Sequence, residues 1–336
     1  MGTCARAAGI CVLFSALSAR ALEFGEPAAP LDVKAWLAGE PFALGDAKGR
    51  LVVVLFWATW DGSPPKVIRC LNRIHQVQAA DVAVVAITTD DEAAVRKFVA
   101  ERGVAYRIGL DNGAATKMAW MKSIPGLPHA FVVGRDGRVA WHGEPQVGLQ
   151  AALSDLLAGK LDRARYEKLN GLRRQLVWAT KAGKVPEVMS LLEQMIATVP
   201  EDAWAHDTRA AILAKQGRAA ATRDAYLAMG KGCKDDPDAL GDAARHLATA
   251  SQLPARDAPA AVGFAQRAAE ITANKDPEIL ETLARAHYEL GHLAKAAEAQ
   301  ALAVEAAAER ERPALEELLL FYRREAARRA ADPEAK

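Results

Sequence analysis

The order of apolar and polar positions divides the chain into two regimes. From Leu51 to Trp57 runs Leu-Val-Val-Val-Leu-Phe-Trp, a continuous β-branched stretch of the kind buried on both faces of a helix-covered sheet. After a Gly/Pro-rich break at Gly62 to Pro65, Val67, Ile68, Leu71, Ile74 and Val77 recur at helical spacing. A second buried strand is predicted over 82–88. A helix then follows over 91–102, with Asp90 and Asp91 as N-cap residues, and a short one over 114–120. Phe131-Val132-Val133 and Val139-Ala140-Trp141 flank Arg135-Asp136-Gly137-Arg138, which reads as a hairpin turned on Asp-Gly. A helix over 147–157, ended by Gly159, closes the unit. Strands alternating with helices and finishing on a hairpin predict an α/β domain with a central mixed sheet flanked by helices.

From Leu161 onward no strand-like run occurs, and helical periodicity rich in Ala and Leu persists to the end. Gly183-Lys184-Val185 and Gly217-Arg218-Ala219 start 34 residues apart, and Gly291-His292-Leu293 opens a helix of the same kind. That spacing is the tetratricopeptide (TPR) period. Asp276-Pro277 begins the clearest copy, with Leu280, Leu283, Ala284, Ala296 and Ala303 at the packing positions. Asp236-Pro237 begins another copy 40 residues earlier, lengthened by an insertion around 253–259. Three or four repeats are predicted, forming an all-α solenoid that presents a surface to protein or peptide partners. The expected organisation is a signal peptide (1–21), an α/β domain (22–160), TPR-like repeats (161–312), and a capping helix and tail (313–336).

The start of the chain sharpens this picture. Arg6, an apolar run from Ala7 to Leu17 and Ala19-Arg20-Ala21 form a secretory signal with cleavage expected after Ala21. The run is short for a membrane span, and no later segment is long and apolar enough to be one. Retained, it would serve as an N-terminal anchor. Removal leaves Cys70 and Cys233, read as two buried thiols outside any disulfide. With 43 basic and 42 acidic residues the formal charge is +1, so no whole-molecule field draws the chain to nucleic acid or to an anionic membrane, and Arg323, Arg324, Arg328 and Arg329 near the end read as a solvated helix face.

The motif that should carry chemistry is Phe56-Trp57-Ala58-Thr59-Trp60-Asp61-Gly62-Ser63-Pro64-Pro65. It resembles the active-site segment of the thioredoxin-like TlpA/ResA family, in which Phe-Trp-Ala-Thr-Trp leads into Cys-x-x-Cys and a helix. The resemblance covers residues 27 to 160 and includes Pro27-Ala28-Ala29-Pro30, Gly49-Arg50, Gly126-Leu127-Pro128, the Arg-Asp-Gly-Arg hairpin and the terminal Leu156-Leu157-Ala158-Gly159-Lys160. It implies a thioredoxin-like fold and a cis peptide bond before Pro128. It also implies a substrate groove between the Trp60 to Pro65 loop and the Leu127-Pro128 edge. At the family's two cysteine positions this chain has Asp61 and Pro64, and the family's glutamate in the following helix falls on Val67. Dithiol exchange needs an activated thiolate and a second, resolving thiol, and neither Asp61 nor Pro64 supplies one.

The degenerate site and groove therefore comprise Trp57, Trp60, Asp61, Gly62, Ser63, Pro64, Leu127, Pro128 and His129, with no catalytic residue among them. Asp61 or Ser63 is expected to cap the helix. The functional alternative groups Asp61, Trp60 and His129 into a polar recognition site. No Cys-x-x-Cys, His-x-x-x-His, phosphate-cradling glycine loop or Gly-x-Ser-x-Gly elbow occurs, and His129 and His142 form only a loose pair, so neither metal nor cofactor is expected. Three functions fit this pattern. The first is binding of a protein or peptide without redox chemistry, as a chaperone, maturation factor or envelope scaffold. The second is thiol-disulfide exchange through Cys70, Cys233 or a partner's cysteines. The third is a purely structural domain that positions the repeats.

Overall fold

The computed structural model describes residues 21–47, 49–60, 65–122, 124 and 126–331. The signal segment and Asp61, Gly62, Ser63 and Pro64 fall outside the described residues, as does the cap expected of Asp61 or Ser63.

Six strands form one mixed sheet: β1 (Val33–Ala38), β2 (Leu51–Phe56), β3 (Val82–Thr88), β4 (Arg107–Asp111), β5 (His129–Val133) and β6 (Val139–Gly143). Their order is β1-β4-β3-β2-β5-β6. β2, β3 and β4 run parallel, while β1 pairs antiparallel with β4, β5 with β2, and β6 with β5. Every residue of β2 and β3 is buried, which is what continuous β-branched runs predict for central strands covered on both faces. The two covering layers draw alternate residues from β2: Leu51, Val53 and Leu55 face one core, and Val52, Val54 and Phe56 face the other. Helices α1 (Pro65–Val77), α2 (Glu92–Arg102), α3 (Ala115–Met121) and α4 (Leu149–Leu157) cover the sheet. Asp91 caps α2, accepting from the backbone N–H groups of Ala93 and Ala94. This is a thioredoxin-like fold, as the motif implied.

β1 and β4 are additions to the predicted elements. Both are short, and their apolar residues are broken by Lys34, Arg107 and Gly109. Gly109 is closely packed: a Cβ there would come within 3.0 Å of Ile87 Cδ1 and 3.1 Å of Val33 Cγ1, so those side chains would have to shift.

The remaining chain is helical: α5 (Arg163–Lys181), α6 (Val185–Thr198), α7 (Ala203–Lys215), α8 (Ala219–Gly232), α9 (Pro237–Thr249), α10 (Ala258–Ile271), α11 (Pro277–Glu289), α12 (Leu293–Ala306) and α13 (Arg312–Ala331). They form four antiparallel pairs and a terminal helix, an arrangement consistent with a TPR-like array. The first helix of each pair is capped by an aspartate, Asp162, Asp202, Asp236 and Asp276 in turn. Gly183, Gly217 and Gly291 turn three of the pairs with φ of 68°, 71° and 78°, a left-handed conformation that favours glycine. The third pair is joined instead by the insertion, part of which forms a 3-10 turn at Leu253–Ala255.

The two halves share a core. The apolar cluster on one side of the sheet runs without a break from Val53 and Leu71 through Leu149, Tyr166, Leu169 and Leu176 to Leu192, Met195 and Ala205. α5 thus lies against the sheet domain, with Asn170 Nδ2 donating to the His142 carbonyl at 3.2 Å and Arg173 paired to Glu144 at 2.7 Å. A separate cluster fills the array from Ala210 to Tyr322.

A degenerate thioredoxin-type groove and a buried histidine chain

The segment ending at Trp60 is held by its own sequence. Asp90, one of the two residues expected to cap α2, accepts instead from Thr59: from its backbone N–H at 2.6 Å and its hydroxyl at 2.8 Å. Trp57 N donates to the Ile87 carbonyl at 3.2 Å, and the buried Trp57 ring packs on Phe98 with centroids 4.9 Å apart. Trp57 is therefore part of the core beneath the loop. Trp60 stands out from it with 75% exposure.

The Leu127-Pro128 bond is cis, in agreement with the expectation for Pro128. Leu127 packs against the core that holds Phe56 and Trp120. His129, the first residue of β5, lies opposite Phe56 in the β2–β5 ladder, so the cis-proline edge and the end of β2 are adjacent. His129 is buried and faces inward, and its Nε2 lies 3.3 Å from His142 Nδ1. The supposed loose pair of histidines is thus in direct ring-to-ring contact, because β6 sets His142 opposite Phe131, two residues along β5 from His129.

His142 Nε2 in turn lies 3.5 Å from a Glu23 carboxylate oxygen. The three side chains form a chain, and the carboxylate fixes its polarity. With His142 carrying its proton on Nε2, directed at Glu23, His142 Nδ1 is an acceptor, and His129 must donate to it from Nε2. His129 Nδ1 is then left as an unprotonated acceptor. The opposite tautomers would set a bare imidazole nitrogen against a carboxylate. Burial is the main cause that pushes His129 down to about 3, with the neighbouring His142 adding to it. Burial also lowers His142, although Glu23 opposes that shift. With its value that low, His129 is neutral at physiological pH. Among the described residues no three His, Cys, Asp or Glu side chains converge to hold a metal ion.

The cysteines lie apart from this site. Cys70 is the sixth residue of α1, half-buried between the sheet domain and the array, and Cys233 is buried at the end of α8; they are not joined in a disulfide. Burial, reinforced by the Asp238 carboxylate, raises the Cys70 thiol far above its ordinary value. That is the opposite of what a nucleophilic thiol needs. On either side of it α1 is clamped to the array: Arg69 pairs with Glu278 at 2.6 Å, and Arg73 donates through both terminal nitrogens to Asp238, with Asp276 at 3.9 Å. None of these contacts between the halves is visible from sequence spacing.

Residues 24–142 match the sequence profile of the AhpC/TSA family. The front domain is an AhpC/TSA-type redoxin domain. Among curated relatives, the thiol-disulfide oxidoreductase ResA of Bacillus cereus is 31% identical over 113 residues, 33% of this chain and 64% of ResA. Protein FixW of Rhizobium leguminosarum is 28% identical over 172 residues, 46% of this chain and 76% of FixW. The chain thus spans 64% of the length of this ResA and up to 68% of other ResA proteins it matches. A solved thiol-disulfide isomerase from Corynebacterium glutamicum is 21% identical, with 39% of this chain and 96% of that one covered at a TM-score of 0.33.

Proposed function

We propose that the chain is an exported protein whose redoxin domain binds a protein or peptide segment in the groove between Trp60 and the cis-proline edge without dithiol exchange, the helical array contributing a second contact. The observation that carries this reading is the pair of residues at the family's cysteine positions, Asp61 and Pro64, neither of which can form or resolve a mixed disulfide. The groove's supports persist beside them: the Thr59–Asp90 contact, the buried Trp57 and the cis bond before Pro128. An extended peptide can pair its backbone with such an edge without covalent chemistry, and two linked binding modules strengthen each other's hold on one partner. Export is supported by the signal pattern of residues 1–21. Among the described residues no helix is long and apolar enough to cross a membrane.

Reduction of insulin disulfides by dithiothreitol tests the proposal, with the natural chain compared with an Asp61→Cys/Pro64→Cys variant. The natural chain should add nothing to the rate of dithiothreitol alone, and the variant should accelerate it. Turnover by the natural chain that disappears in Cys70→Ser or Cys233→Ser would overturn the proposal in favour of exchange through a displaced cysteine.

A further inference from the structure

The terminal helix α13 packs on α12 through a seam of Leu315, Leu319 and Tyr322. At 100° per residue, Arg324 and Arg328 fall on the face opposite that seam, with Leu320 and Phe321 on its two margins. All four are exposed; Leu320 retains 51% and Phe321 43% of its surface. Arg323 and Arg329 are also exposed, on other sides of the helix. From Leu320 to Ala331 the helix carries four arginines against a single glutamate, Glu325, which pairs with Arg328 at 2.9 Å. Its first half instead exposes Glu316 and Glu317, so charge is segregated along the helix within a chain that is neutral overall.

Helix stability explains only part of this pattern. Arg328 and Arg329 lie in the last turn, where cations complement the helix dipole, whereas Arg323 and Arg324 lie mid-helix. We propose that the C-terminal half of α13 docks on an anionic phospholipid surface, its arginines engaging phosphate groups while Leu320 and Phe321 enter the interface. Guanidinium groups suit phosphate oxygens geometrically. Basic residues with a few apolar ones on one helix face give shallow, electrostatically driven membrane association. The aromatic surface continues onto α11, since Phe321 packs on Tyr288 at 5.5 Å. The outer face is a convex cylinder, which gives an acidic protein no register to lock onto but suits a fluid surface whose charges rearrange.

The test is co-sedimentation of the full chain with phosphatidylcholine vesicles made with and without phosphatidylglycerol. Binding should require phosphatidylglycerol, fall with added salt, and weaken at least about tenfold in Arg324→Glu/Arg328→Glu. Leu320→Ser/Phe321→Ser should weaken it while keeping the salt dependence. Unchanged thermal melts would show that each variant stays folded. Equal binding to both vesicle types, or binding unaffected by the charge reversal, would overturn the proposal and assign association to the apolar run of residues 7–17. Absence of vesicle binding with salt-sensitive capture by polyglutamate would equally overturn it, pointing to an acidic protein.

Discussion

Replacing Arg73 by alanine should loosen the helical array from the redoxin domain, and the cost can be bounded from the structure. The Arg73 side chain is 17% exposed and that of Asp238 10%, and two guanidinium nitrogens reach the carboxylate. Removing the arginine leaves Asp236, Asp238 and Asp276 close together without their shared cation, and Asp236 is already raised to about 6 by burial and by Asp238. Truncating one partner of a fully buried pair costs roughly 3–5 kcal/mol, and an exposed pair contributes about 0–1 kcal/mol. With side chains this little exposed, about 2–4 kcal/mol is expected, a large share of a typical domain's 5–15 kcal/mol. Urea unfolding followed by tryptophan fluorescence measures the total. Hydrogen exchange locates it, with protection lost in α1 around Arg73 and at the start of α9 while β2 and β3 keep theirs. Arg73→Met combined with Asp238→Leu should recover most of the loss, because an apolar pair of similar volume carries no desolvation cost. A change below about 1 kcal/mol in Arg73→Ala, with unaltered exchange in α9, would refute the reasoning and reduce the clamp to a surface ion pair.

Two further outcomes are expected. In the native state at mildly alkaline pH, Cys70 should be alkylated by iodoacetamide at least about tenfold more slowly than a solvent-exposed thiol, because its burial beside Asp238 disfavours the thiolate; mass spectrometry of timed samples reads this, and comparable rates would contradict it. His129 makes stability depend on pH: its folded value of about 3 lies below the ordinary 6.5, so the unfolded chain binds a proton first and stability falls as pH drops from about 6.5 towards 3. At pH 5 His129 alone should cost about 2 kcal/mol relative to neutral pH, and His129→Gln should flatten that part of the denaturation curve.

Legibility in the sequence followed the range of the interactions involved. β2 and β3 were readable because both faces of each strand are buried and every position had to be apolar. The array's register was readable because turns at Gly183 and Gly217 demand positive φ and stand one repeat apart. β1 and β4 escaped because Lys34, Arg107 and Gly109 interrupt short runs whose strand character depends on pairing, β1 with β4 and β4 with both β1 and β3. α5 was expected in the repeat half, yet Tyr166, Leu169, Leu172 and Leu176, spaced for one helix face, also fill the sheet's core; periodicity reveals that a face is apolar but not what covers it. The histidine chain was hidden for the same reason. It depends on a hairpin register with an irregularity between Val132 and Val133, and on Glu23 returning from more than one hundred residues upstream.

The position of Cys70 follows from packing rather than chemistry. Val67, Leu71 and Ile74 turn one face of α1 into the sheet core, while Arg69 and Arg73, four apart, turn another face to the acidic ends of α9 and α11. Cys70, one residue from both Arg69 and Leu71, falls on the seam between these faces, where its neighbours include Trp204 and Asp236. A thioredoxin-type nucleophile sits at the start of this helix, where the backbone N–H groups stabilise a thiolate; five residues further on those groups are consumed by the helix, and carboxylates replace them.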